Sequence, residues 1–308
     1  MKILFLADIH INLRAKKIPT QFQLGRYSML VNKLKEIDYD LVILGGDIFD
    51  QIPTLAELEV FFNLIQNFSK PVIYYDGNHE ATRKGKTFLT HLEKIVSKVC
   101  DSYFINEPKT LFDIDFLPYT HLHETPSFGN SRILCTHVRG DIYPHVKAEI
   151  DLNYFKPWAV VLAGDLHSHT NSQRNIVYPG SPMNITFHRN NTTNGVILFD
   201  TNSLEYDFID LKLPKLLRKT VTTKEEIIET DYDYTIYELK NTADKLNNIN
   251  SELLDKKILE KEYNSNLNLT NISMEEELKI YLKEIMKLDN IEEYINIYND
   301  NIKESNIQ

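Results

Sequence analysis

Lys2-Ile3-Leu4-Phe5-Leu6-Ala7-Asp8-Ile9-His10 starts the chain with an unbroken apolar run that stops at a carboxylate and an imidazole two residues apart. A run with no polar interruption has no solvated face, so it predicts a strand, Lys2–Ala7, buried on both sides. The same arrangement recurs down the chain. Leu41–Leu44 runs into Gly45-Gly46-Asp47-Ile48-Phe49-Asp50, and Val72–Tyr75 into Gly77-Asn78-His79-Glu80. Ile133–Thr136 ends at His137, and Ala159–Ala163 at Gly164-Asp165-Leu166-His167-Ser168-His169. Between the runs, Leu30, Val31 and Leu34, and then Leu58, Phe61, Phe62 and Ile65, recur at helical spacing and read as core-facing stripes. Strand and helix therefore alternate, which predicts helices layered on a mostly parallel sheet. The polar clusters then fall at the carboxyl ends of the strands, where ligand sites of such sheets gather.

Composition sets the limits. The chain has 308 residues, 42% hydrophobic and 25% charged, enough for one large domain with an appendage or for two domains. A net charge of −10 argues against an autonomous tight DNA binder, since phosphate contacts need clustered Lys and Arg. It leaves a phosphodiesterase open, because bound divalent cations reverse the local sign. Cys100 and Cys135 make no disulfide framework, and Cys135 inside Ile133-Leu134-Cys135 reads as a buried thiol, in keeping with a reducing cytoplasm. The first run mimics the start of a signal peptide but stops at Asp8, so a buried strand explains it better. No apolar run is long enough to span a bilayer, and no membrane partner is expected.

Each cluster has its own chemistry. Asp8 and His10 are two apart just past a strand, and strand alternation would put them on one side, able to share a cation. Asp47 follows two glycines that let the chain bend, and a carboxylate can bridge two metals. Asn78 offers a neutral carbonyl oxygen to a hard cation, and the adjacent His79 is free for acid–base work. His137 ends its strand. The last cluster allows two ligand pairs, Asp165 with His167 or His167 with His169; the strand end at Gly164 favours the first.

The texture changes toward the end. Ile176-Val177-Tyr178 runs into the turn signal Pro179-Gly180-Ser181-Pro182, and Gly195–Phe199 reads as a further strand, as if antiparallel pairs closed the sheet. After residue 205 glycine is absent and Asn, Lys, Glu and Ile dominate. Tyr232–Leu239 alternates like a short strand, and 240–272 reads as helix interrupted by linker. Ser273-Met274-Glu275-Glu276 is a capping box. Leu278, Tyr281, Leu282, Ile285 and Leu288 form a stripe behind it, continued by Ile291, Tyr294, Ile295 and Tyr298 after a break at Asp289-Asn290. The stripe suits packing on the parent domain or docking against another protein's helices.

Taken in order, Asp-x-His, Gly-Asp, Gly-Asn-His, His and x-His resemble the calcineurin-like metallophosphoesterase superfamily over roughly residues 1–200. Within it the chain looks most like the SbcD-type nuclease subunit of double-strand-break repair complexes, phage versions especially. Gly46-Asp47-Ile48-Phe49-Asp50, Gly77-Asn78-His79-Glu80 and Tyr178-Pro179-Gly180-Ser181 carry that narrower match. The resemblance implies a four-layer α/β/β/α sandwich with a small α+β cap and C-terminal helices. It implies a nuclease domain at 1–205, a cap and DNA-contacting region at 206–268 and an ATPase-docking element at 269–308. It implies two Mn²⁺ ions, with Mg²⁺ as the alternative. Asp8 and His10 would hold the first, Asp47 would bridge, and Asn78 and His137 would hold the second, with one ligand to each from the last cluster. His79 would assist proton transfer or stabilise the transition state. The chain departs from the usual Gly-His-x-His in having Asp165 where the first histidine stands, and aspartate is a competent ligand.

The activity so implied is a 3′→5′ exonuclease on duplex ends and an endonuclease on single strands, for DNA repair or recombination in a bacterial or phage-infected cytoplasm. The partners implied are DNA and an SbcC-type coiled-coil ATPase, with a homodimer inside a heterotetramer; Asn12–Leu24 and the first long helices are the place to look for the dimer contact. Two other readings stand beside it: a phosphoesterase of small-molecule or protein substrates, and a non-catalytic scaffold.

Overall fold

The computed structural model describes residues 1–83, 86–190, 192–242, 246, 249–259 and 273–305. The runs that carry the clusters are strands β1 (Lys2–Leu6), β2 (Leu41–Gly45), β3 (Val72–Tyr75), β4 (Ile133–His137) and β5 (Val160–Gly164). They divide between two sheets. The first is ordered Tyr206–Asp210, Gly195–Asp200, β1, β2, β3, Ser102–Ile105, and the second Ile176–Val177, β5, β4, Ile114–Leu117, Lys109–Leu111. Pairing is parallel from β1 through Ser102–Ile105, and Gly195–Asp200 joins β1 antiparallel. In the second sheet Ile176–Val177 pairs parallel with β5, so it does not form the antiparallel closure its turn-rich sequence suggested. That closure is made by Gly195–Asp200 and Tyr206–Asp210.

Both faces of these strands are buried, which is why their sequences lack alternation. Leu4, Leu6, Val42 and Leu44 pack outward with Leu30, Leu34, Phe61 and Ile65 of helices α1 (Thr20–Lys35) and α2 (Leu55–Gln66). The alternate residues Ile3, Phe5, Leu41 and Ile43 share a core with Ile114, Phe116, Cys135 and Leu162 of the second sheet. At roughly 1.5–3 kcal/mol for each large side chain fully buried, this sheet-on-sheet core is a dominant stabilising element. The outer face of the second sheet is covered by Phe155 and Trp158 on a short 3₁₀ segment and its sequel, with Leu122 from another. The architecture is thus mixed α/β with two stacked sheets, as expected. Thr54 and Glu57 cap α2 reciprocally, and Glu57 also accepts from Leu13 N at 2.9 Å and Arg14 Nη2 at 2.9 Å, fixing the segment after His10.

The chain divides into two compact units, Met1–Asn241 with Leu246–Ile258, and Thr242–Lys245 with Leu259–Gln308. In the first, Tyr206–Asp210 belongs to the main sheet although it lies just past residue 205. A third, three-stranded sheet is ordered Leu216–Val221, Tyr234–Asn241, Leu254–Leu259. This corrects the reading of 240–272 as helix and linker over Leu254–Leu259; 260–272 lie outside the described residues. Tyr234–Asn241 is buried at five consecutive positions and does not alternate, because Tyr237 and Leu239 pack in one small core while Glu238 is enclosed by ion pairs. In the second unit the Ser273–Glu276 capping box starts a helix at Met274, and Lys287, at φ +53°, marks a break before the helix Glu292–Ser305. Among the described residues no helix is long and apolar enough to cross a membrane.

Candidate metal centre

The five clusters converge. Three overlapping groups place ligand atoms within 4.8 Å of one another: Asp8, His10 and His167; His10, Asp47 and His79; and Asp8, Asp47 and His137. His10 Nε2 lies 3.2 Å from His167 Nε2 and 3.5 Å from Asp47 Oδ2. His137 Nε2 lies 3.5 Å from Asp47 Oδ2, 3.0 Å from Asn78 Oδ1 and 3.8 Å from Asp165 Oδ1. All eight residues singled out in the sequence are therefore within one constellation. Of the two pairs the last cluster allows, Asp165 and His167 reach it. His169 does not: its Nδ1 meets the Tyr178 carbonyl oxygen at 2.7 Å and its ring stacks on Phe208.

Strand alternation is not what brings Asp8 and His10 together. β1 ends at Leu6, and both residues are left-handed, at φ +55° and +47°. Asp47 at +49° and Asp165 at +101° share this trait. Each such non-glycine residue costs on the order of 1–3 kcal/mol and persists only where its surroundings over-determine it. Here they do. Asp8 N donates to Gly46 O at 3.1 Å, His10 N to Asp47 O at 2.9 Å and Ile11 N to Ile48 O at 2.8 Å, lacing the first loop to the second. Asp165 N donates to Asp8 Oδ1 at 2.9 Å, and His79 N to Asp47 Oδ1 at 3.0 Å.

The glycines make room. A methyl group on Gly77 would collide with Asp47 Oδ1 and His137, and one on Gly46 would meet His137 Nδ1 at 2.6 Å. Glu80, quoted in the sequence without a role, is fully buried and accepts from Asp47 N, Phe49 N and Gly77 N at 2.8–2.9 Å. It ties the second loop to the third. Its signal was its place directly after Asn78-His79, but nothing local shows that a glutamate there turns inward. Asp50 was also missed as a contact: its carboxylate lies 3.4 Å from His10 Nδ1 and 3.7 Å from His79 Nδ1.

Backbone acceptors fix the tautomers. Gly45 O lies 2.9 Å from His137 Nδ1, and Asp50 O lies 2.6 Å from His79 Nδ1. A carbonyl oxygen only accepts, so each Nδ1 carries the proton and each Nε2 turns a lone pair to the centre.

The electrostatics call for a cation. Burial pushes the Asp8 carboxyl up to about 7, with Asp47 adding to it and His137 opposing. Burial likewise raises Glu80 to about 8, again with Asp47 beside it, and raises Asp165. Asp47 is held below the usual carboxylate range: burial works against this, but His137 and His10 outweigh it. His137 is pushed well up in spite of burial, by Asp47 and Asp8. His167 falls to about 4, through burial and the neighbouring His10. With Nε2 unprotonated, lone pairs face one another: His10 against His167, and the Asn78 oxygen against His137 Nε2. Protonating His10 and His137 relieves those contacts but leaves the Asn78 oxygen against the Asp47 carboxylate. Without a cation the Asn78 amide is better turned over, its nitrogen donating to His137 Nε2 at 3.0 Å and Asp47 Oδ2 at 3.0 Å. With a cation between them, the oxygen-inward orientation is right. Carboxylate, carboxamide and imidazole form a mixed hard and borderline set suited to first-row divalent ions and to Mg²⁺. The residues present therefore fit a divalent metal.

Comparison with known proteins agrees. A family model of the calcineurin-like phosphoesterases matches residues 1–198, and the chain belongs to that family: it is a metal-dependent phosphoester hydrolase. It is 39% identical over 305 residues, 94% of each chain, to the protein named "Probable exonuclease subunit 1" of Escherichia phage T5. A crystal structure of the Pseudomonas putida nuclease MPE matches 64% of this chain and 69% of that one, at 16% identity and a TM-score of 0.32, too loose a likeness to carry an argument.

Proposed function

We propose that this chain is the nuclease subunit of a DNA-processing complex and hydrolyses phosphodiesters with two divalent cations, Mn²⁺ by preference. The carrying observation is the convergence of Asp8, His10, Asp47, Asn78, His137, Asp165 and His167 with His79 on the outer, one-third exposed side. The relative's name, which includes "exonuclease subunit", supports DNA as substrate and a multi-subunit assembly.

In this reading Asp8, His10 and His167 would hold one cation and Asn78, His137 and Asp165 the other, with Asp47 placed to serve both. The cations, when bound, supply positive charge against the phosphate oxygens and activate the attacking water. The chain's own residues do the rest. The left-handed turns at Asp8, His10, Asp47 and Asp165 aim four side chains at one point from three loops. Glu80 holds the second and third loops in register. His79, with its Nδ1 proton fixed on Asp50 O, presents the Nε2 lone pair to the substrate side, where it takes up a proton; the imidazolium so formed stabilises charge on a phosphate oxygen or passes that proton to the leaving oxygen.

The finer proposals follow the resemblance: 3′→5′ removal from duplex ends, endonucleolytic cutting of single strands, a coiled-coil ATPase partner docked on the 269–308 segment, and a homodimer within the complex. The deciding experiment is Mn²⁺-dependent degradation of a 3′-end-labelled duplex by wild type and His79→Ala. Loss of label in the wild type alone supports the reading. Hydrolysis of small phosphodiesters with no action on DNA, with or without an ATPase subunit, would replace it with a small-molecule phosphoesterase.

A further inference from the structure

Behind His10, on the side away from His167, is a cleft of about 30 Å³ lined by Asn12, Arg26, Tyr27, Asp50 and Asn184 as well as His10 itself. Three of these lining residues carry a buried polar atom without a hydrogen-bond partner among the described residues: His10 Nδ1, Arg26 Nε and Asn184 Oδ1. Such orphans are rare in folded chains, and three around one small space share a cause.

Arg26 is 1% exposed, the largest fully buried side chain described. Its terminal nitrogens donate to Gln23 Oε1 and to the Asn184 carbonyl oxygen, and no carboxylate among the described residues pairs with it. Burial pulls its pKa down to about 10. The Asn184 orientation follows from a chain of donors. Asn194 Nδ2 donates to Ser181 O at 3.1 Å, and that carbonyl only accepts. The Asn194 oxygen therefore faces Thr192, whose hydroxyl donates to it at 3.2 Å. Thr192 Oγ1 in turn accepts from Asn184 Nδ2 at 2.7 Å. Asn184 Oδ1 is left as an acceptor with no donor. His10 Nδ1 lies 3.4 Å from Asp50 Oδ1, an ion-pair distance without hydrogen-bond geometry.

We propose that this cleft binds one structural water, which accepts from Arg26 Nε–H and His10 Nδ1–H and donates to Asn184 Oδ1. The ligand must accept and donate at once. A halide would face the Asn184 oxygen and the Asp50 carboxylate, and an alkali cation would face a guanidinium; water satisfies both sides. A cleft with about 30 Å³ open to water has room for one, and two to four polar partners are what such a water needs. Arg26 and Asn184 are then positioning residues. Through the water they fix the tautomer and tilt of the His10 ring, so that Nε2 keeps its lone pair on the metal side. Partners behind a metal-binding histidine are commonly worth about 10–100-fold in metal affinity. This last consequence rests on His10 being a metal ligand, whereas the water site does not.

Two measurements on the full chain test it. A crystal structure at about 1.8 Å resolution or better should show one peak within hydrogen-bond reach of all three atoms. An empty cleft overturns the proposal, and so does an anomalous signal there after a bromide soak. Calorimetric titration with Mn²⁺ should then show Asn184→Leu binding about 10-fold more weakly than wild type, and Asn184→Asp, which keeps the acceptor toward the cleft but gives up the donor to Thr192, binding more tightly than Asn184→Leu, with the metal-free folds of both intact by circular dichroism. Unchanged affinity in Asn184→Leu overturns the positioning role. If wild type binds no Mn²⁺ at all, the metal-centre reading falls instead, and the crystallographic peak alone decides the water site.

Discussion

The main-chain oxygen of Asp50 accepts a hydrogen bond from Nδ1 of His79 at 2.6 Å, which leaves His79 Nε2 at 3.9 Å from Asp47 Oδ2 and open to substrate. The backbone thus selects the tautomer of the residue assigned to the chemistry. His79→Ala should lower kcat on labelled DNA by about 10²- to 10⁴-fold while Mn²⁺ stoichiometry stays unchanged in calorimetry. A variant with near-normal kcat would remove His79 from the reaction.

Asp47 has a different part. It stands within 3.5 Å of both His10 Nε2 and His137 Nε2, and its other oxygen accepts from His79 N. Asp47→Ala should weaken Mn²⁺ binding by at least about 100-fold, since losing a bridging ligand costs no less than losing an outer partner of one. Full metal-dependent activity in this variant would contradict the bridging assignment.

Glu80 holds three backbone N–H groups in the core, so Glu80→Ala leaves them buried without an acceptor. Each such orphan costs about 1–3 kcal/mol, and the urea midpoint should drop sharply. Glu80→Gln retains one acceptor oxygen and should fall between. If Glu80→Ala unfolds at the wild-type midpoint, the glutamate does not brace the loops.

The metal-free protein should lose stability as pH rises. Asp8 has its pKa raised by burial to about 7, so its contribution is full below the unfolded carboxylate value and lost as pH climbs toward 7. His137 is raised by Asp47 and Asp8 in spite of burial; its contribution is full below the ordinary histidine value and lost at a higher pH. Both have the same sign. Asp47, depressed by His137, acts the other way in acid, and His167, lowered by burial to about 4, acts the other way as pH rises through the ordinary histidine value. Glu80, raised by burial to about 8, loses its contribution over the same range as Asp8 and outweighs His167. In chelator the melting temperature should therefore be at least about 2 °C lower at pH 8 than at pH 6, and Mn²⁺ should abolish or reverse the difference. A rise with pH in chelator would show that the cluster is not the repulsive pocket described.

Much of this could be read in the chain itself. The five unbroken apolar runs identified β1–β5 to within a residue or so, because a strand buried on both faces has one sequence signature. The ligand types after each run were legible for the same reason: they sit where the strand ends. The Ser273–Glu276 capping box also lies in plain sight, since capping is local chemistry. The strand Leu254–Leu259 was not legible. Its sequence, Leu-Asp-Lys-Lys-Ile-Leu, is as good a helix former, and only pairing within the three-stranded sheet decides it. Arg26 was equally hidden: an arginine on α1 reads as a solvated residue until Asn184, far along the chain, closes over it.

The sequence by itself determined which residue types stand at which strand ends, because hydrophobic runs and turn glycines act over a few positions. The tertiary structure decided how they meet. Left-handed turns at Asp8, His10, Asp47 and Asp165 are held only by hydrogen bonds from other loops, and the choice of Asp165 and His167 over His169 depends on where β5 lies beside β4. Such geometry is set by contacts between residues of different loops and strands, beyond the reach of any local pattern.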